Sequence, residues 1–270
     1  MIRELLEEIQ SSFIVKTGLR LKRAYVAGAG DSFAAALAIE GRTKGRFRAV
    51  DPYEAQFYEI DLPLVIVSVS GRTRANIELA KKHKSKTEIF AITSNPDSEL
   101  ARLADEVITI PYRYRPVPGT LSFLMSLSAL YSLAGEEIVF SEAPPITMPR
   151  EPLFIGRGEN YGVAYYAALK IYEIFGERAL FERLEQFFHA TIFVSKNRDV
   201  VVLSSGDPRE YFEPSFARVH RSGCRDAFCN TIWVIKSIIN RMISENWDRA
   251  YYLENRDALE FSSKMIYYEK

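Results

Sequence analysis

Short apolar runs alternate along this chain with segments in which apolar residues recur every three or four positions. The first pattern is typical of buried strands and the second of amphipathic helices. A polar or glycine-containing turn separates most strands from the helix that follows. In the first half we predict strands at 24–27, 47–50, 62–67, 89–92 and 107–110, and helices at 2–17, 33–43, 74–84 and 121–133.

The second half repeats this order after a proline-rich linker at 141–150. A short strand at 153–155 leads into the turn Gly156-Arg157-Gly158 and then into a predicted helix at 161–175. We expect a further short helix at 182–188, and strands around Phe193 and at 200–203. The predicted organisation is an N-terminal helix at 1–19, a first domain at 20–143 and a second domain at 150–270.

Strands that alternate with helices indicate an α/β fold with parallel sheets covered on both faces. In such sheets, ligands bind where the carboxyl ends of the strands meet. The segments predicted at those ends in the first half are 28–32, 68–73, 93–95 and 115–120.

The turn Ser68-Val69-Ser70-Gly71-Arg72-Thr73 is the most informative of these segments. It joins a predicted buried strand to a helix, and the first turn of a helix offers unpaired N–H groups that favour an anion. Its hydroxyls could add donors, and its glycine would let the backbone approach a ligand. The turn is therefore either a phosphate-binding site or an ordinary N-cap, since serine and threonine are common cap residues.

The turn Gly28-Ala29-Gly30 offers a second interpretation, the dinucleotide-binding fingerprint. Asp51 stands near the position of a ribose-binding acid. However, the bulky Phe33 occupies the third glycine position, and the fingerprint gives the 68–73 turn no role. The dinucleotide interpretation is therefore the weaker one.

The composition excludes several classes of protein. The 270 residues carry 35 basic and 35 acidic side chains, and this balance argues against a dedicated nucleic-acid binder. No apolar run approaches the length of a membrane span, and the N-terminus has no signal-peptide pattern. We expect a soluble cytoplasmic protein, and the scarcity of glutamine suggests a thermophilic source.

Two cysteines and two of the histidines can be explained by structural roles without any part in binding or catalysis. Cys224 and Cys229 lack a zinc-binding spacing, although His220 lies nearby, so structural thiols or one disulfide are favoured over a metal site. His83 stands among lysines and is expected on a solvated helix surface. His189 follows two phenylalanines and could be a core histidine.

Several motifs together resemble a known family. Ala29-Gly30-Asp31-Ser32, the 68–73 turn and the 117–123 loop occur in the order seen in sugar isomerase (SIS) domains. Gly156-Arg157-Gly158, followed by the 168–173 segment and His189, is similar to the isomerase half of glucosamine-6-phosphate synthase and to archaeal glucosamine-6-phosphate deaminases. The resemblance covers most of residues 20–270 and implies two tandem SIS domains, each with a flavodoxin-like parallel sheet between helices.

The resemblance implies a substrate site in the first half. Hydroxyls of the 68–73 turn would bind phosphate, and the first turn and the 115–120 loop would contact the sugar. The residues carried over on this basis are Gly30, Ser32, Ser68, Ser70, Thr73, Val117 and Thr120. Gly119 stands where the family often has serine.

The resemblance places the chemistry in the second half. Glu173 would move a proton between C1 and C2, and His189, supplied by the neighbouring subunit of a homodimer, would open the sugar ring. Lys170 belongs to the same motif, and Lys264 is the loose match for a lysine that meets the substrate carbonyl. By position alone, Lys170 and Glu173 could be a surface pair of one helix.

These residues predict a phosphosugar isomerase or deaminase that acts on a hexose 6-phosphate, with glucosamine-6-phosphate as the expected substrate. The alternative is a sugar-phosphate-binding or regulatory protein without catalysis. No metal or redox cofactor, nucleic acid or membrane partner is implied. Met1-Ile2 offers no cysteine nucleophile, so glutaminase activity is not expected. Asp207 in the second-half turn 203–207 would repel phosphate, so we expect one phosphate site per chain.

Overall fold

In the computed structural model, which describes residues 1–268, the chain forms two compact units. The 12–138 unit consists of Ser12–Ile138 together with the segment from Asn255 onward, and the 139–254 unit consists of Met1–Ser11 and Val139–Glu254. The prediction set the N-terminal helix apart and grouped the C-terminal tail with the second half. In the structure, each of these terminal segments lies in the unit formed by the opposite half of the chain.

The 12–138 unit is built on a parallel sheet. Its described strands follow the order β2-β1-β3-β4-β5, which is the flavodoxin-like order. The strands are β1 (Ala24–Gly28), β2 (Phe47–Val50), β3 (Leu64–Val67), β4 (Ile89–Thr93) and β5 (Glu106–Thr109). The helices are α2 (Asp31–Arg42), α3 (Arg74–His83), α4 (Glu99–Leu103), α5 (Leu121–Ala134) and α10 (Arg256–Ile266). Every residue of β3 and β4 is buried, as expected for central strands covered on both faces.

The 139–254 unit repeats the pattern with the strand order β7-β6-β8-β9 among its described residues. Its strands are β6 (Leu153–Gly156), β7 (Leu180–Arg183), β8 (Asp199–Leu203) and β9 (Arg218–Arg221), all in parallel pairs. Its helices are α1 (Ile2–Gln10), α6 (Glu159–Phe175), α7 (Leu184–His189), α8 (Ala227–Ser244) and α9 (Tyr251–Glu254). The α/β class with two parallel sheets is thus confirmed.

Three element predictions were wrong or incomplete. The expected helix at 182–188 is present as α7, which begins at Leu184, and the strand β7 that precedes it was not predicted. Phe193 lies in a 3₁₀ turn at Thr191–Val194 and not in a strand. The N-terminal helix ends at Gln10 instead of residue 17, because Ser11 turns to an extended conformation and the following backbone pairs within the other unit, where Val15 N–H donates to Ser128 Oγ at 2.8 Å.

Cys224 and Cys229 form a disulfide, with their Cα atoms 5.6 Å apart. This outcome selects one of the two structural alternatives and excludes the metal interpretation of the pair. Over the described residues, no helix has the length and apolar character that crossing a membrane requires.

His83 is buried, with 2% of its surface exposed, so the prediction of a solvated position was wrong. Each residue advances a helix by about 100°, and His83 therefore falls on the same face as the buried Asn76, Leu79 and Ala80. The neighbouring Lys81 and Lys82 instead pair with Glu99 and with the ring of Phe57. Burial lowers the pKa of the His83 ring, and the positive charges of Lys86 and Lys82 lower it further.

This lowered pKa predicts acid sensitivity. Below about pH 6.5 His83 becomes protonated in the unfolded chain, while the folded chain keeps its ring neutral. The free energy of unfolding should therefore decrease as the pH is lowered. His83→Leu removes the titrating ring and should flatten this part of the curve. Urea unfolding between about pH 7.5 and about pH 5.5 provides the measurement.

His83→Asn should behave like His83→Leu, because it also lacks the titrating ring. Curves for the variants that run parallel to that of the unchanged protein would contradict the assignment.

Candidate functional site

A cavity of about 480 Å³ opens in the 12–138 unit at the carboxyl ends of β1, β3 and β4. All four segments predicted to lie at this edge contribute to its lining. The contributors are Ala29, Asp31 and Ser32 from the first turn, Ser68, Val69, Ser70, Arg72 and Thr73 from the second, Ser94 and Asn95 after β4, and Arg115, Val117 and Gly119 from the loop before α5. Parallel strands bring their connecting turns to one edge, which is why these segments meet.

The 68–73 turn has the geometry of an anion site. Gly71 adopts a φ of +64°, and its N–H donates to the Ser68 carbonyl at 3.0 Å. The Ser68 N–H donates to the Ile92 carbonyl at 2.9 Å and so fixes the turn to β4. Side-chain hydroxyls of Ser68, Ser70 and Thr73 border the cavity, beside the start of α3.

Thr73 separates the two interpretations of this turn. It occupies the N-cap position of α3, yet within the described chain its side chain makes no capping hydrogen bond. Its Oγ1 lies 3.5 Å from the Ser68 hydroxyl instead. The Thr73 hydroxyl thus pairs with Ser68 and leaves α3 without a side-chain cap from this residue, which favours the anion interpretation over the simple cap. The Ser70 hydroxyl accepts the Arg72 N–H at 3.3 Å.

The 115–120 loop contributes differently from the prediction. Val117 lines the cavity, whereas Thr120 is fully buried and its hydroxyl donates to the Pro118 carbonyl at 3.3 Å. Gly119 and Ser122 take the lining position instead. A Cβ at Gly119 would stand 2.8 Å from Asp31 Oδ2, so a larger residue here would make the Asp31 side chain shift.

Gly30 acts through the backbone. It is the N-cap residue of α2 with a φ of 58°, a conformation that favours glycine, and it does not itself line the cavity. Asp31 and Ser32, which follow it, do line the cavity. Gly30 thus sets the direction of the first turn.

The C-terminal tail reaches this cavity, which the sequence did not predict. Tyr267 lines it, and the Arg72 guanidinium lies 5.7 Å from the centre of the Tyr267 ring. Tyr268 anchors the tail to α3 through cation–π contacts with Arg74 and Lys81. Aromatic residues at the end of a chain carry no positional signal, so only the fold could reveal this contact.

Lys264 stands apart from the cavity lining. Its side chain is 63% exposed on α10 and pairs with Glu260 at 2.7 Å. The structure therefore does not bring Lys264 to the site that the resemblance implies.

In the 139–254 unit, Lys170 and Glu173 come together on α6. The Lys170 side chain is fully buried, and its Nζ lies 2.6 Å from Glu173 Oε2. A buried lysine is costly unless it is paired, so this is not an ordinary surface pair. The carboxylate of Glu173 remains partly accessible.

His189 does not join that pair. It ends α7 with its side chain 68% exposed, and Nε2 lies 3.1 Å from Glu185 Oε1. Arg209 pairs with the same carboxylate, and the Arg209 and His189 hydrogen bonds lower the pKa of Glu185. His189 is therefore a surface residue and not a satisfied core histidine.

Among residues 1–268, no cluster of histidine, cysteine, aspartate and glutamate side chains could hold a metal ion. The cavity in the 12–138 unit is lined by the hydroxyl-bearing Ser68, Ser70 and Thr73 and by two arginines, Arg72 and Arg115, which suit an anion, and Asp31 adds one carboxyl group. The cavity thus has groups of the class that can bind an anion at the edge of an α/β domain.

The comparison with known proteins agrees with this class. The SIS domain model matches residues 20–135, the part of the chain that contains the whole cavity apart from the tail. No curated protein matches the chain. That the second half is also a SIS domain remains a prediction.

Solved structures share the fold over most of the chain. A glucosamine-6-phosphate deaminase from Thermotoga maritima has a TM-score of 0.67 at 18% identity, over 90% of this chain and 92% of its own. The C-terminal domain of a glucosamine-fructose-6-phosphate aminotransferase from Francisella tularensis has a TM-score of 0.62 at 16% identity, over 92% and 88%. A tagatose-6-phosphate ketose/aldose isomerase from Escherichia coli has a TM-score of 0.60 at 14% identity, over 90% and 86%.

The geometry of the turn makes Gly71 the most sensitive position of the site. Gly71→Ala forces a Cβ into the Ser98 side chain at a positive φ. The change should lower the free energy of unfolding by about 1–3 kcal/mol and weaken phosphate binding at least about tenfold. Urea unfolding and calorimetric titration with a sugar phosphate measure the two effects.

Gly18→Ala is the matched control, since a Cβ there meets nothing within 4 Å in the same unit. Equal effects of the two substitutions on binding would show that the 68–73 turn does not hold the ligand.

Proposed function

We propose that this protein is a phosphosugar isomerase or deaminase that binds a hexose 6-phosphate through the 68–73 turn. The observation that supports this proposal most directly is the cavity in the SIS-matched segment, where hydroxyls and a helix start converge without capping the helix. A phosphate anchored there would supply binding energy away from the reacting carbons. Glucosamine-6-phosphate, converted to fructose-6-phosphate, is the substrate that we favour.

Glu173 is the proposed base. Aldose–ketose interconversion moves a proton between neighbouring carbons, and a carboxylate at the right position can accept it from one and return it to the other. Lys170 holds this carboxylate in a fixed orientation through their 2.6 Å contact, and its own burial limits its movement. Lys170 is therefore assigned a positioning role.

His189 is the proposed ring-opening residue, contributed to the site of a neighbouring subunit in a homodimer. Ring opening requires a group that can exchange a proton near neutral pH, which is the usual property of histidine. The exposure of His189 supports a role at a subunit surface. Lys264 is retained as the residue that would meet the substrate carbonyl, provided that it leaves its contact with Glu260.

A non-catalytic sugar-phosphate-binding or regulatory protein is the second candidate. The observation that favours it is the engagement of two proposed catalytic residues elsewhere, His189 with Glu185 and Lys264 with Glu260. Such a protein would need only the cavity of the 12–138 unit.

Product analysis distinguishes the reactions. A deaminase should convert glucosamine-6-phosphate and water into fructose-6-phosphate and ammonia, and incubation with fructose-6-phosphate and an ammonium salt tests the reverse direction. Ammonia released in step with the ketose identifies a deaminase, and conversion of fructose-6-phosphate into an aldose phosphate without added ammonia identifies an isomerase. Binding of either sugar without a product would favour the second candidate.

Glu173→Gln separates binding from catalysis. The amide keeps the shape of the side chain but cannot act as a base, so turnover should fall by a factor of about 10² to 10⁴. Binding of the sugar phosphate should stay within about twofold, because the 68–73 turn is unchanged. Steady-state kinetics and calorimetric titration provide the two measurements.

Glu142→Gln is the control, since this carboxylate is 71% exposed and lies 4.0 Å from Lys236 Nζ. Full activity of Glu173→Gln would remove Glu173 from the mechanism. If the site is shared between subunits, mixing Glu173→Gln with His189→Ala protein should restore part of the activity.

A further inference from the structure

The loop after β8 is the counterpart of the phosphate turn in the 139–254 unit. In chain order β8 is the third strand of its unit, and it pairs with β6, the first strand. β3 is likewise the third strand of its unit and pairs with the first strand, β1. The loop Ser204-Ser205-Gly206-Asp207 also places a glycine at positive φ, +85°, as Gly71 does in the other unit. The two loops therefore have the same place and a similar backbone feature.

A carboxylate of the protein itself already occupies this second loop. The Ser205 N–H donates to both carboxylate oxygens of Glu210, at 3.0 and 2.9 Å, and the Ser205 hydroxyl donates at 2.6 Å. The Gly206 N–H donates to Oε2 at 3.2 Å. Glu210 is only 2% exposed, so these donors replace the water that its charge would otherwise require.

The loop is held independently of Glu210. Asn160 and Asn230 side-chain amides both donate to the Ser204 carbonyl, at 2.8 and 3.0 Å. The Ser204 N–H donates to Ser222 Oγ at 3.0 Å. These three bonds fix the backbone before Ser205, so the donors should keep their positions when the carboxylate is removed.

The segment that carries Glu210 is fixed as well. Arg221 Nε donates to the Glu210 carbonyl at 2.9 Å, and its Nη1 donates to the Glu213 carboxylate at 2.7 Å. Asp207, which was expected to repel phosphate, instead pairs with Arg157 at 3.1 Å and caps the turn at Arg209. Glu210, and not Asp207, thus determines the anion occupancy of this loop.

We propose that Ser205 and Gly206 form a second oxyanion-binding site of the phosphate class, and that Glu210 fills it as a permanent internal ligand. The protein then binds one phosphate per chain because its second site is occupied from within. Removing the Glu210 side chain opens the site to a free tetrahedral oxyanion.

Glu210→Ala in the full chain tests this inference, with inorganic phosphate as the probe. In the unchanged protein, phosphate should leave the Ser205 and Gly206 amide NMR signals in place. In Glu210→Ala, both signals should shift in a saturable manner, and phosphate should raise Tm by about 3 °C or more relative to chloride at equal ionic strength. The Ser70 and Gly71 signals report separately on the site of the proposed function.

Glu213→Ala is the matched control, because it removes a carboxylate of the same segment and leaves Glu210 in the loop. Its Ser205 and Gly206 signals should not respond to phosphate. A Glu210→Ala protein whose loop signals ignore phosphate would overturn the inference, as would a phosphate response of this loop in the unchanged protein.

If Glu210→Ala does not fold in chloride buffer, refolding in phosphate decides the question. Recovery of folded protein in phosphate, but not in chloride of equal ionic strength, supports the second site. Equal failure in both salts contradicts it.

Discussion

The parallel run of β1, β3 and β4 is the constraint on which the candidate site depends. These strands are paired in one direction, so their carboxyl ends lie at one edge and their turns must meet there. No single turn is a site by itself. The convergence of hydroxyls, backbone N–H groups and guanidinium groups follows from strand direction, and the buried faces of β3 and β4 hold that direction fixed.

The sequence predicted the parts of this arrangement that depend on local patterns. Apolar runs located the central strands, and the hydroxyl-rich 68–73 turn follows directly from the residue types and their place after a strand. The pairing of Lys170 with Glu173 follows from their spacing on a helix. The sequence did not predict features that depend on contacts between residues far apart in the chain or in different elements. Examples are the burial of His83, the position of Tyr267 in the cavity lining and the hydrogen bonds of Glu210 to the loop after β8. Weakly apolar edge strands such as β7 and β9 were missed for the same reason, since their polar residues give little alternation.

The two halves of the chain use a similar loop in opposite ways. In the 12–138 unit Ser68, Ser70 and Thr73 of the loop line a cavity, and the Gly71 N–H donates within the turn. In the 139–254 unit they surround a carboxylate from the same chain, and the loop becomes part of the internal hydrogen-bond network. Backbone donors that must be satisfied can thus serve either recognition or stability, depending on whether one side chain a few residues away reaches them.

The exchange of terminal segments between the units has a consequence for the order in which the chain can fold. α1 precedes the rest of its unit by more than 120 residues, yet it packs on α8, and the Ile2 N–H donates to Asp248 Oδ1 at 2.7 Å. The 12–138 unit likewise receives α10 and the tail only after Glu254. On the ribosome, neither unit can complete its native contacts until almost all of the chain has emerged. The assembly of each unit is therefore linked in time to the synthesis of a segment from the opposite end of the chain.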